Sequence, residues 1–395
     1  MSTPIAAAGF QFLSSPCKIV SRNGALAGLA SDTDALGLRR LMFVSGTRSS
    51  QGAAARAVRA ALGERIVCEA AGVPQHSGVA TVEVIAARAR EHGVDGFVAV
   101  GGGSASDSAK AAAILLGEGG RLADHANVFF PPDRYVQKQL PAAKLPIVAV
   151  PTTLSAAEVT PGLGIRDAEG HKLVFWDPQV VPRLIVLDGQ STLDVPAGLF
   201  ASTGMNALAH CVEGIYSRVR NPVSEGLALQ GIRLLRPALE RVVESPQDAN
   251  ARADALVGAC LSGMVISNAR VGIHHGICHG LGSLGGLPHG VANAILLPHA
   301  MRFNREVAAD HLALVAQALG ADTRGMAPLA AADAAIAAVE ALQQRLGVPR
   351  RLGEAGLDRA LLPRLARGAM SDRGLYFNPR LATEADVLAL LEAAW

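Results

Sequence analysis

The sequence predicts an α/β protein in which a Rossmann-like parallel sheet fills residues 1–192 and an all-helical domain fills residues 193–395. Three observations lead there. Strand-like apolar runs alternate with helical stretches through the first half, the rhythm of a parallel sheet covered by helices on both faces. From about Asp194 those runs all but vanish and long Ala/Leu-rich segments replace them. A chain of 395 residues also exceeds what one ordinary core accommodates.

The elements follow in order. LMFVSG (41–46) is a short buried strand, followed by a helix over Ala53–Leu62. VEVIAARAREHG (82–93) has helical spacing and ends at Gly93, a C-cap residue. GFVAVGGGS (96–104) is a strand running into a glycine turn, DSAKAAAILL (107–116) is the helix after it, and PIVAVPTT (146–153) is another strand ending in a polar turn. The turn-rich LDGQSTLDVP marks the boundary near 188–196. Beyond it, segments 197–217, 222–243, 249–269, 291–318, 327–346 and 383–394 have helical composition and spacing.

Composition narrows the function classes. Half the residues are apolar and 18% are charged, which suits a packed enzyme and argues against disorder. A net charge of +2 with scattered Lys and Arg gives no footprint for nucleic acid. No apolar run approaches the roughly 18 residues of a membrane span. The opening MSTPIAAAGFQF lacks the basic flank and apolar core of a secretory signal. Five cysteines, odd in number and without a CxxC, read as reduced thiols, so the expected compartment is the cytoplasm.

GGGSASDSAK (101–110) stands after a strand and at a helix start, where a phosphate loop belongs. Gly101, Gly102, Gly103 and Ser104 let the backbone approach a pyrophosphate, and the helix N-terminus favours its charge. Asp107 either caps that helix or holds the substrate end of the cofactor. An isolated GGGS is as readily a structural turn. A second polar turn, PTTLSAAEVTP (151–161) with Thr152 and Thr153, ends the next strand, and two such loops form the ligand crevice of an open α/β sheet. The expected cofactor is NAD or NADP. Gly46, in VSGTRSS (44–50), stands where many NAD enzymes place an acidic residue for the ribose. It leaves room for a 2′-phosphate, which Arg48 would pair unless it is an ordinary exposed turn residue.

Four of the eleven histidines fall in two short windows, and a fifth follows closely. STGMNALAHCVEGIYS (202–217) sets Asn206 and His210 on one helix face, and VGIHHGICHGLG (271–282) does the same for His275 and His279. His289 follows in LPHGVANAILLPH. Two or three imidazoles with a carboxylate hold a divalent metal, but Asn206 fills the position expected of the carboxylate. A single apolar-face histidine is usually a core residue; this arrangement is harder to dismiss. His274 and His299 read as structural, and Cys278 as packing rather than nucleophile.

With these motifs in this order, the chain resembles the iron-containing alcohol dehydrogenases over nearly its whole length. The resemblance implies the dehydroquinate synthase-like fold, an active site in the cleft between the domains, and a homodimer. Metal-using members hold their ion at positions that correspond here to Asn206, His210, His275 and His289, with His279 as a further active-site residue. Asn206, the CH pair of HHGICHGLG and the short PTTLSAAEVTP loop look like the maleylacetate reductases, which work without a metal. LPHGVAN looks more like the alcohol dehydrogenases. FFPPDRYVQKQLPAAK (129–144) matches neither and is expected to be an insertion lining the cleft.

The leading expectation is thus hydride transfer from a nicotinamide to a conjugated keto-acid without bound metal. His210, His275, His279 and Asn206 would serve the developing enolate, and Lys172, Arg270 or Arg302 would meet the substrate's carboxylates. The alternatives are an Fe²⁺- or Zn²⁺-dependent alcohol dehydrogenase and a non-catalytic nucleotide-binding protein. The partner is a small molecule, with no nucleic acid and no membrane.

Overall fold

The computed structural model describes residues 9–75 and 77–395. A six-stranded parallel sheet has the order β1 (Lys18–Ser21), β10 (Leu184–Leu187), β7 (Ile147–Pro151), β4 (Gly96–Gly101), β2 (Leu41–Gly46), β3 (Ile66–Val73). The central strands are continuous apolar runs because both faces are covered. Phe43, Val98, Val148 and Val186 pack against α1 (Leu29–Ala35) and α2 (Ala53–Leu62) on one side. Met42, Phe97, Ala99 and Ile147 face α3 (Val79–Glu91) and α4 (Gly103–Glu118) on the other.

From β2 the chain moves outward to β3, then returns to add β4 on the opposite flank of β2. This reversal opens a crevice at the carboxyl ends of β2 and β4, where open α/β sheets take ligands. Gly46 ends the first of those strands and Gly101 the second. The sequence-predicted phosphate loop therefore sits at the topological switch point.

Two antiparallel hairpins were not foreseen: β5 (Val128–Phe130) with β6 (Arg134–Val136), and β8 (Gly162–Arg166) with β9 (Lys172–Trp176). The first occupies the expected insertion at 129–144. Lys144 at the end of that segment bonds Glu118 at 2.6 Å, and Phe129 packs on Tyr376 with ring centroids 5.3 Å apart.

Helices α5 (Ala197–Tyr216), α6 (Pro222–Glu244), α7 (Ala249–Ala269), α8 (Ile273–Ser283), α9 (His289–Asn304), α10 (Ala309–Ala318), α11 (Pro328–Leu346), α12 (Leu362–Ala369) and α13 (Glu384–Ala394) complete the chain. The segment read as continuous over 291–318 is broken between α9 and α10. α5 is the hub, buried along nearly its whole length. Among the described residues no single helix is long and apolar enough to cross a membrane.

Candidate active site

The crevice expected to take the nucleotide is built by close packing. Gly101 has φ 138°, and a Cβ there would lie 2.7 Å from Ser49 Oγ; one on Gly102 would lie 3.0 Å from Thr153 Oγ1. Gly102 at the N-cap of α4 brings no side chain of its own, and a helix N-terminus favours an anion. Thr152 is buried and its N–H donates to Gly101 O at 2.9 Å, locking the second loop to the first. Asp107 does not cap the helix, contrary to one of its two expected roles. It lies within α4 and accepts from Gly164 N at 3.1 Å, tying that helix to β8.

Lys110, three residues on, is a structural member that the sequence did not single out. Its buried ammonium donates to the carbonyls of Ala157 and Thr160, the latter at 2.6 Å, and so pins the 151–161 loop to α4. Burial pushes its pKa down to about 8. Lys110→Met should cost about 2–4 kcal/mol of stability by leaving buried carbonyls unpaired. A denaturation midpoint equal to that of the parent would show that the loop is held by something else.

The histidine site forms where three helices meet. Asn206, His210 and Glu213 stand at i, i+4 and i+7 on α5 and share one face. His274, His275 and His279 come from α8, and His289 opens α9. A Cβ on Gly290 would lie 2.9 Å from the Ser202 backbone, so only glycine lets α9 bring His289 onto α5. The His210 and His275 rings stack with centroids 4.6 Å apart. His289 lies 5.9 Å from His275 and 6.0 Å from His279. The structure thus brings all five expected residues, Asn206 included, into one cluster.

Glu213 was not predicted, although the i+7 spacing from Asn206 was there to be read. Wholly buried, its Oε1 accepts from the N–H groups of Gly272 and His274, at 2.8 and 3.0 Å. Its Oε2 accepts from His275 Nδ1–H at 2.5 Å. Burial alone would raise the Glu213 pKa, but His275 and His274 outweigh it and hold the carboxyl well below the usual range. Burial drives His275 down to about 4, so the pair is a carboxylate and a neutral imidazole.

The hydrogen bonds fix the tautomers of two rings. With Nδ1–H given to Glu213, His275 presents a bare Nε2 lone pair. Ser262 spends its hydroxyl proton on Ala259 O at 2.7 Å, so its Oγ accepts from His210 Nδ1–H at 3.2 Å. His210 Nε2 is therefore bare as well. Burial, with His275 alongside, keeps the His210 pKa well below its ordinary value, and burial does the same for His289. Asn206 Oδ1 lies 3.2 Å from His275 Nε2, within hydrogen-bond reach, but the shorter contact to Glu213, at 2.5 Å, takes the single proton of the neutral ring.

Imidazole nitrogens and an amide oxygen are donors a divalent cation accepts, and Asn206, His210, His275 and His289 would be its ligands. Among the described residues, the buried group whose potential ligand atoms lie within 4.8 Å of one another is Glu213, His274 and His275. The Glu213 oxygens already take three N–H donors, however, so its geometry is that of a carboxylate orienting a ligating histidine.

The remaining expected residues divide. His279 Nδ1–H donates to Asp372 Oδ2 at 2.7 Å, another partner the sequence did not reveal. His274 donates from Nε2 to Asn293 O at 3.0 Å, a structural bond as expected. Cys278 is buried with its pKa raised by burial and lies 3.8 Å from His274 Nε2. Lys172 acts electrostatically on Asp107, His289 and Asp372, which places it at the cleft. Arg302 is turned away into an ion pair with Glu340. Gly46 ends β2 with Ser49 and Val73 around it, and Arg48 is exposed.

The comparisons with known proteins agree with this geometry. Residues 16–189 match the family model for iron-containing alcohol dehydrogenase, and residues 200–395 match the C-terminal model of the same family. Lactaldehyde reductase of Escherichia coli (strain K12) is 36% identical over 307 residues, 77% of this chain and 78% of that protein. Maleylacetate reductase of Burkholderia cepacia is 32% identical over 380 residues, 96% of this chain and 95% of that one. The crystal structure of a 1,3-propanediol oxidoreductase superposes with a TM-score of 0.91 at 31% identity, covering 98% of this chain and 100% of its own. The resemblance to maleylacetate reductases is therefore shared with lactaldehyde and propanediol enzymes and does not single out that branch. The chain belongs to the iron-containing alcohol dehydrogenase family and is an NAD(P)-dependent oxidoreductase.

Proposed function

We propose that the protein is a metal-dependent alcohol dehydrogenase, interconverting a small aldehyde or ketone and its alcohol with NAD(P). The observation that carries this reading is the pair of tautomers: with both Nδ1 protons committed, His210 and His275 keep bare Nε2 atoms on stacked rings, and that of His275 lies beside Asn206 Oδ1. When bound, an Fe²⁺ or Zn²⁺ ion supplies Lewis-acid polarisation of the substrate oxygen. The chain does the rest. The glycine loops seat the cofactor, and the buried helices exclude water. Asp372 holds His279 so that its Nε2 can pass a proton between the cleft and solvent.

Asn206 supports a second reading, the metal-free reduction of a conjugated keto-acid, because a neutral amide binds a cation more weakly than a carboxylate. Metal content and chelator sensitivity of aldehyde reduction separate the two.

Acceptance of NADPH as well as NADH follows from Gly46, which brings no negative charge to the ribose end of the crevice. Gly46→Asp should lower kcat/KM for NADPH relative to NADH by about tenfold, as expected for one added like charge near the 2′-phosphate. An unchanged ratio in steady-state assays with both cofactors would place the adenosine elsewhere.

A further inference from the structure

Two arginines stand, along the backbone, beside residues that support the histidine cluster. Arg270 lies between α7 and α8, two residues before Gly272, whose N–H donates to Glu213. Arg373 directly follows Asp372, the partner of His279. A Cβ on Gly374 would lie 2.9 Å from Gly272 O, so the two backbone segments run in contact.

Neither guanidinium is paired with an acid among the described residues; aromatic faces hold both, and Arg373 also bonds the neutral Tyr135 side chain. Arg270 stacks over Trp176 at 3.9 Å, and Arg373 over Tyr135 at 3.5 Å and Phe377 at 4.9 Å. Tyr135 belongs to the β5–β6 hairpin and Trp176 ends β9, so the two unforeseen hairpins supply the walls. Burial raises the Tyr135 pKa, so its phenol is neutral and offers no compensating charge. Burial, and then the charge of Arg373, push the Arg270 pKa down to about 10. Arg270 also keeps a backbone conformation, φ 63° and ψ 175°, that suits glycine. A strained, half-buried cation next to a like charge is the arrangement of a receptor awaiting its anion.

We propose that Arg270 and Arg373 form a carboxylate-binding subsite beside the histidine cluster, and that the substrate is a small aldehyde or ketone bearing a carboxylate. The substrate class rests on the oxidoreductase reading above, whereas the subsite does not. Planar guanidinium groups match a carboxylate through paired N–H donors, and the aromatic faces hold them in place.

The test has two arms. In a Trp395→Phe background, which leaves Trp176 as the only tryptophan, succinate is titrated against intrinsic fluorescence. Saturable binding is expected, weakened at least ~10-fold by Arg270→Gln or Arg373→Gln and largely kept in Arg373→Lys. In the second arm, succinic semialdehyde and butyraldehyde are compared as substrates. The same Gln variants should raise KM for the charged aldehyde while leaving the uncharged one unchanged. Succinate binding that is absent, or identical in the Gln variants, overturns the subsite, as does an equal loss with both aldehydes. Failure to reduce either aldehyde, with succinate binding intact, removes the alcohol dehydrogenase reading and leaves the subsite standing.

Discussion

Replacing Glu213 with Gln should cost about 10–100-fold in both metal affinity and kcat/KM while leaving the fold intact, although the side chain keeps its size and touches no substrate. The wild-type carboxylate accepts three N–H groups, and one of them sets the His275 tautomer. An amide has one acceptor oxygen and an NH₂ group. Whichever way it is placed, a donor meets a donor. Were the NH₂ group to face His275, the imidazole proton would move to Nε2 and abolish the lone pair that faces Asn206. Circular dichroism unchanged from the parent, with activity and bound metal both reduced, is the expected pair of results. Retention of activity within twofold would mean that the His275 tautomer does not matter.

Asn206→Asp should act in the opposite direction, tightening Fe²⁺ or Zn²⁺ binding on the order of 100-fold. The estimate follows from adding one negative charge about 4 Å from a dication in a partly shielded site, discounted for desolvation. The pocket is prepared for that charge: His210 and His275 are neutral, their Nδ1 protons are committed elsewhere, and Asn206 is 3% exposed. Metal titration of the two proteins by calorimetry measures the difference. Equal affinities would mean that position 206 is not a ligand.

The sheet domain was legible because parallel strands buried on both faces leave unbroken apolar runs such as LMFVSG and GFVAVG. The edge strand β1 was not, since Lys18–Ser21 is largely exposed and pairs with β10 from the far end of the domain. The two hairpins escaped because their strands are short and mix Gly, Arg and Lys with apolar residues, so that even the alternation of Leu163 and Ile165 in β8 spans only five positions. In the site, residues that share a helix face could be read as i, i+4 pairs. Asp372 and Arg373 could not, because only the tertiary fold carries that segment across the α8 histidines. Glu213 was visible in spacing but hidden in meaning: a buried acid in an apolar helix reads as an oddity until its three N–H partners are seen. Asn206 was read as a lost ligand; under the proposed function its amide oxygen, 3.2 Å from His275 Nε2, is one donor of a cation site.

The most direct test is reduction of a small aldehyde by NADPH and NADH, using enzyme of measured metal content before and after exhaustive chelation, with Fe²⁺ or Zn²⁺ then restored. The account predicts near-stoichiometric metal, turnover lost on chelation, and recovery on adding either ion. Undiminished turnover in metal-free enzyme would contradict it, and the histidines alone would then have to stabilise the developing charge.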